Sequence, residues 1–142
     1  VVPTRSMPEA LAALVAYDAD ATAVVNATEM AEAAGSVVTG EVTRAVRDST
    51  SAAGAIAEGD WIGLVRGDGI VAVASSVEGA AMALLDVIVG DSAELVTMVT
   101  GHDADDAVTE QIVGWLGDHH GDIHVDVHHG GQPLYPYLFG VE

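Results

Sequence analysis

The chain has no cysteine and no lysine among its 142 residues. Without thiols there is neither a disulfide framework nor a thiolate metal site. Arg5, Arg44, Arg47 and Arg66 carry all the fixed positive charge against 22 acids, for a formal net charge of −18. Such a surface makes phosphate backbones and anionic membranes poor partners. With no lysine and no Gly-rich Walker-type run, nothing in the sequence is equipped to reach a γ-phosphate. No serine stands in a Gly-x-Ser-x-Gly elbow. Aromatic residues make up 4% of the chain. No apolar run approaches the ~18 residues of a membrane span, and no signal-peptide pattern opens the sequence.

What is present is small and apolar. Half the residues are hydrophobic, mostly Ala and Val, and a chain of this size suits one domain burying roughly 68–70% of its unfolded surface. A closely layered core is expected, with Trp61 and Trp115 as its large anchors. The acidic excess reads first as solubility or salt adaptation, and more sharply as steering toward a basic partner protein.

Val1-Val2 reads as the tail of a strand begun upstream, so that residues 1–142 would be a fragment of a larger protein. Ser6-Met-Pro-Glu9 fits a capping box that opens a helix to about Tyr17, with Met7, Leu11, Leu14 and Val15 on its apolar face. Asp18 to Thr22 is a turn, and a second helix runs to about Ala34 and stops at Gly35. Val37-Val38 and Val42 to Val46 read as strand broken at Gly40, and Ser49 to Glu58 as loop. Trp61 to Val65 and Ile70 to Val73 flank Arg66-Gly-Asp-Gly69 as a hairpin; its Arg-Gly-Asp is turn chemistry. Ser75 to Glu78 is a second capping box, followed by Val77, Ala80, Ala81, Leu84, Leu85 and Ile88 at helical spacing. A strand at Leu95 to Val99, a helix with Ala104, Val108, Ile112 and Trp115 inward, a strand at Ile123 to Val127 and a last strand at Leu134 to Val141 complete the pattern. The expected fold is a single compact α/β domain, its mixed sheet covered by helices and including an antiparallel hairpin.

Three places carry candidate chemistry. Five of the six histidines lie between His119 and His129. In Asp122-Ile-His-Val-Asp-Val-His128, period two puts Asp122, His124, Asp126 and His128 on one face. His124, Asp126 and His128 could offer two imidazoles and a carboxylate to one metal, or form the polar face of a half-buried strand. The second reading is preferred, because no further ligand cluster completes a site. Gly101-His102-Asp103 stands where a strand meets a helix, a usual ligand position, but Asp103, Asp105 and Asp106 there form an acid-rich cap that repels anions. Arg47-Asp48 reads as a local ion pair.

The C-terminal stretch is the most informative. His129-Gly-Gly-Gln-Pro133 offers a free backbone and then removes an amide, while Tyr135, Tyr137, Leu138 and Phe139 can tie the terminus down. This block resembles the close of the large subunit of bacterial fatty acid kinases, which are also called dihydroxyacetone kinase-like. So do Val2-Pro-Thr-Arg-Ser6, Glu9 to Ala13 with Tyr17-Asp18, Asn26-x-x-x-Met30, Thr39 to Thr43, Ala45 to Asp48, Gly59-Asp60, Val96-Thr97 and Gly101-x-Asp103. The closing half is also similar to the second domain of DegV-type fatty-acid-binding proteins. There a His-Gly-rich loop lies near the lipid head, and here the loop is His129 to Pro133.

The resemblance implies a cytoplasmic, non-catalytic C-terminal domain that docks a fatty-acid-binding partner, with ATP and Mg in an N-terminal domain outside this chain. No cofactor, metal or catalytic residue is expected within residues 1–142. The expected partner or ligand surface comprises Arg47, His128, His129, Gly130, Gly131, Gln132, Pro133, Tyr135 and Tyr137. Two other readings remain: a DegV-like lipid or small-molecule module, and a metal-dependent enzyme using His124, Asp126 and His128. A bare sheet edge would give a homodimeric contact.

Overall fold

The computed structural model describes all 142 residues. The elements follow as α1 (Met7–Val15), α2 (Ala23–Ser36), β1 (Val38–Arg44), β2 (Ser49–Ser51), β3 (Gly54–Ile56), β4 (Trp61–Val65), β5 (Gly69–Ala74), α3 (Val77–Ile88), β6 (Leu95–Thr100), α4 (Asp106–His119), β7 (His124–His129) and β8 (Tyr137–Val141). Six strands form a mixed sheet in the order β5-β4-β1-β8-β6-β7, and β2 and β3 pair separately. Among adjacent strands of this sheet only β6 and β7 run parallel, and α4 supplies the crossover that a parallel pair requires. The fold is α/β as expected, with β4–β5 as its antiparallel hairpin.

Side-chain oxygens start the helices. Ser6 accepts the Glu9 amide at 3.2 Å, Thr22 that of Val25 at 3.3 Å, Ser76 that of Gly79 at 3.2 Å, and Asp105 those of Ala107 and Val108 at 2.8 and 3.2 Å. Each satisfies donors that the first helical turn leaves unpaired. α3 lies over β1, β4 and β5, and α4 packs beside it with Ile112 and Leu116 in the same core as Val96, Met98 and Tyr137. On the other face α1, backed by α2, lies over β6 and β8.

β8 is buried along its whole length because it sits between β1 and β6 with helices on both sides. Tyr137, Phe139 and Val141 enter the core with Val42, Val96, Met98, Leu84, Leu85, Ile112 and Leu116. On the opposite face Gly140 admits α1, since a Cβ there would stand 2.5 Å from Pro8 Cβ. The C-terminus is thus tied down as its composition suggests, by β pairing as much as by aromatics.

Several local expectations differ. Val1-Val2 forms no strand. In α1 the buried residues are Pro8, Ala12 and Ala13, while Leu14 and Val15 are 64% and 87% exposed: β8 accepts the helix only at small side chains. α2 continues through Gly35 to Ser36. β1 runs unbroken through Gly40, where a Cβ would meet Ile88 Cδ1 at 2.9 Å and Leu84 Cδ2 at 3.0 Å, so that glycine serves close packing under α3. The irregularity falls at Gly63/Leu64 in β4. Residues 49–56 form the β2–β3 hairpin rather than loop. The α3 cap is Ser76, one residue beyond the expected Ser75. Tyr137 and Phe139 are the fully buried large residues, and Trp61 and Trp115 pack at the margin of the core.

Candidate functional site

The segment from His129 to Pro136 closes the end of the sheet where β6 and β7 finish and α4 begins. Backbone bonds clasp it there. The amides of Gly130 and Gly131 both donate to Thr100 O, at 2.9 and 3.1 Å, that of Gly101 to Pro136 O at 2.8 Å, and that of His102 to Gln132 O at 3.0 Å. Gln132 Nε2 donates to Val99 O (3.3 Å) and Tyr135 O (3.0 Å). His129 Nδ1 lies 2.8 Å from Thr100 Oγ1. Two glycines make room for this. A Cβ on Gly101 would stand 2.8 Å from Gln132 O and nearer still to Tyr135 O; one on Gly130 would stand 2.5 Å from Val99 Cγ1.

The clasp holds Leu134 at φ +70°, the only non-glycine residue with positive φ. A bulky side chain there is a genuine outlier, and Thr43 Oγ1 fixes it by donating to Leu134 O at 2.7 Å. Leu134 is nevertheless 75% exposed. Strain of this kind costs on the order of 1–3 kcal/mol and persists only where the surroundings impose it. Here it turns a leucine to solvent.

Arg44, Val46 and Arg47 stand at the same end of the sheet, since Val42 pairs with Tyr137 and Arg44 with Trp61. The Ala45 amide donates to Asp60 O (2.7 Å), and the Ala45 carbonyl accepts the Gly59 amide (2.9 Å), leaving Val46 84% exposed. The expected Arg47–Asp48 pair does not form: Asp48 Oδ1 accepts the Glu58 amide at 2.8 Å instead. Arg66–Glu41, at 3.1 Å, is the one arginine–carboxylate pair of the chain. Arg44 donates through Nε to Gly59 O at 3.0 Å and lies over the Trp61 ring, 5.8 Å from its centre.

Between the clasp and α4 is a hollow of about 550 Å³ lined by Gly101, His102, Ala104, Asp105, Asp106, His129 and Gly131. Carboxylates at the head of the helix set its preference: an anion is repelled and a basic side chain is favoured. Tyr137 lies beneath, fully buried, its hydroxyl 3.1 Å from Asp105 O and 3.0 Å from Thr109 Oγ1. Burial raises its pKa above the usual 10.0, and the nearby Asp105 and Asp106 carboxylates add to the rise. It positions the α4 cap and offers nothing to a ligand, which corrects its place among the surface residues. Of the other candidates, His129 to Pro133 and Tyr135 lie in the clasp, with Arg47 at the same end of the sheet, whereas the side chain of His128 lies on the α1 face, away from it.

On β7, His124 Nε2 and Asp126 Oδ1 bind each other at 3.0 Å. His128 instead lines, with Asp126, Leu11, Val15 and Leu95, a groove of about 410 Å³ beside α1. No group of three His, Asp or Glu side chains in the chain is placed to hold a metal. His119 and His120 lie at the opposite end, stacked on Trp115 at 4.6 Å and edge-on to it at 5.8 Å. Leu134 and Val46 carry no sequence signal; their exposure follows from hydrogen bonds made by distant residues.

No helix is long and apolar enough to cross a membrane. Residues 1–142 match the FakA-like C-terminal family of fatty acid kinase. Uncharacterized proteins of Staphylococcus aureus strains MRSA252 and USA300 are 38% and 37% identical to it over 142 residues, all of this chain. The chain spans about a quarter (26%) of the length of these relatives. It belongs to the FakA-like C-terminal family of fatty acid kinase.

Proposed function

We propose that the chain is the non-catalytic docking domain of a cytoplasmic fatty acid kinase, and that it holds a DegV-type fatty-acid-binding protein. ATP and Mg would be bound elsewhere in the longer polypeptide, and docking would bring the acyl carboxylate within reach of the γ-phosphoryl group. The contribution to rate is proximity: a tethered reactant is worth far more than a diffusing one.

The observation that carries this reading is Leu134, a large apolar side chain presented to solvent by a strained and heavily bonded backbone. Val46, also exposed at this end of the sheet, is a second apolar side chain offered to a partner. Arg47 and the acidic hollow at α4 add charges of both signs around them, the arrangement of apolar anchor and polar rim typical of protein interfaces.

Calorimetric titration with fatty-acid-loaded partner tests the proposal. Leu134→Gly removes the side chain and relieves the positive φ, so the fold is retained while affinity falls by about tenfold or more. Arg47→Ala weakens docking by a smaller factor. Unchanged affinity in both variants, or ATP turnover by the isolated chain, overturns the reading. The groove beside α1 favours a second reading, a lipid-binding module, because its volume and its Leu11, Val15 and Leu95 lining suit an acyl chain. Direct uptake of fatty acid by the chain alone would support it.

A further inference from the structure

Strand β7 ends the sheet, and its outer backbone has no partner. The His124 amide donates inward to Glu94 O and that of Gly130 to Thr100 O, both at 2.9 Å. Even-numbered residues therefore turn their backbone groups to β6, and alternation turns the amides and carbonyls of Val125, Val127 and His129 outward. Side chains alternate as well. Val125 packs against the core on the α4 side, so Val127 and His129 share that face, while Asp126 and His128 face the groove beside α1. The edge has no proline, no lysine and no bulge in its register with β6, and Val127 is 47% exposed. Its one protection against pairing is charge.

We propose that β7 is a self-association edge. Two copies join their β7 strands antiparallel about a two-fold axis through Val127 and make one continuous sheet. This goes beyond partner docking and does not depend on it.

The register follows from geometry. A two-fold axis normal to the sheet keeps each side chain on its own face, so the axis must pass through a residue. Through Asp126 it would oppose two carboxylates, which is destabilising. Through Val125 it would overlap only His124 to Asp126. Through Val127, every outward backbone group finds a partner: Val127 exchanges hydrogen bonds with its own copy, and Val125 with His129 of the second copy. Asp126 then falls opposite His128 of the second copy, twice, at the non-hydrogen-bonded positions where side chains approach most closely. Each Asp126, already bound to His124 at 3.0 Å, lies between two imidazoles. The two Val127 side chains cover each other.

Sedimentation equilibrium of the 142-residue chain tests this. The chain dimerises reversibly, and Val127→Pro weakens the dimer by about tenfold or more, because it deletes an amide that β6 does not use. Circular dichroism of that variant stays unchanged. Absence of native cysteine gives a second, independent readout. Val127→Cys forms a covalent dimer on mild oxidation, whereas His124→Cys, about 20 Å from its counterpart in this register, does not. A wild-type chain that stays monomeric to its solubility limit, which would leave the edge to a strand of another polypeptide, overturns the proposal. So does dimerisation unaffected in folded Val127→Pro, or cross-linking of His124→Cys in place of Val127→Cys.

Discussion

Tyr137 shows how a single side chain couples the terminal strand to the rest of the molecule. Its phenol is buried and hydrogen-bonded, and burial lifts its pKa above 10.0. The unfolded chain ionises this group at lower pH than the native state does. Above about pH 10 the native state therefore binds more protons, and stability falls as pH rises. Tyr137→Phe removes that linkage: denaturation from about pH 7 to 11 should show a shallower alkaline loss, with a cost of about 1 kcal/mol at neutral pH for the missing hydrogen bonds. Glycines separate by the same residue-level reasoning. Gly101→Ala forces a Cβ against two backbone carbonyls that cannot yield without opening the clasp, and should cost about 2 kcal/mol or more in chemical denaturation. Gly114, in α4 with nothing near its missing Cβ, should instead gain up to about 1 kcal/mol on conversion to Ala.

Elements were legible in proportion to how local their causes are. The cap at Ser6, the β4–β5 turn and the apolar stripe of α3 depend on neighbours in sequence, and they stand where the pattern puts them. By contrast, α4 starts at Asp106 behind its Asp105 cap and leaves the expected Asp103 and Ala104 outside the helix. α3 sharpens the point, since Ser75 and Ser76 are equally good caps by type and only Ser76 bonds the Gly79 amide. Ser76→Ala should cost about 1 kcal/mol in a thermal or denaturant melt while Ser75→Ala costs little; equal effects would mean that the cap is shared. What was not legible depends on partners far along the chain. Gly40 looks like a strand breaker until Leu84 and Ile88 are laid over it. Leu14 and Val15 look like a core face until Gly140 and Pro8 show that α1 sits too close to the sheet for large side chains there. The candidate site divides in the same way: the glycine–proline composition of residues 129–136 marks the loop, whereas Leu134 is exposed because Thr43 holds its carbonyl from 91 residues away.

Charge sets the behaviour of the whole molecule and separates the two associations proposed for it. A net charge of −18 repels a second copy over distances longer than the Asp126–His128 contacts that favour pairing at β7. Raising ionic strength shortens the Debye length from about 10 Å at 0.1 M to about 3 Å at 1 M, which screens that repulsion while leaving edge hydrogen bonds intact. Self-association should therefore tighten with salt. Docking of a basic partner draws on the same long-range field with the opposite sign, so its association rate and affinity should fall over the same range. Sedimentation of the chain alone and calorimetry with the loaded partner, each at low and high salt, give two slopes of opposite sign. Should both slopes share a sign, the acidic field is not what distinguishes partner from copy, and the partner must be recognised through Leu134 and its apolar surroundings without electrostatic steering.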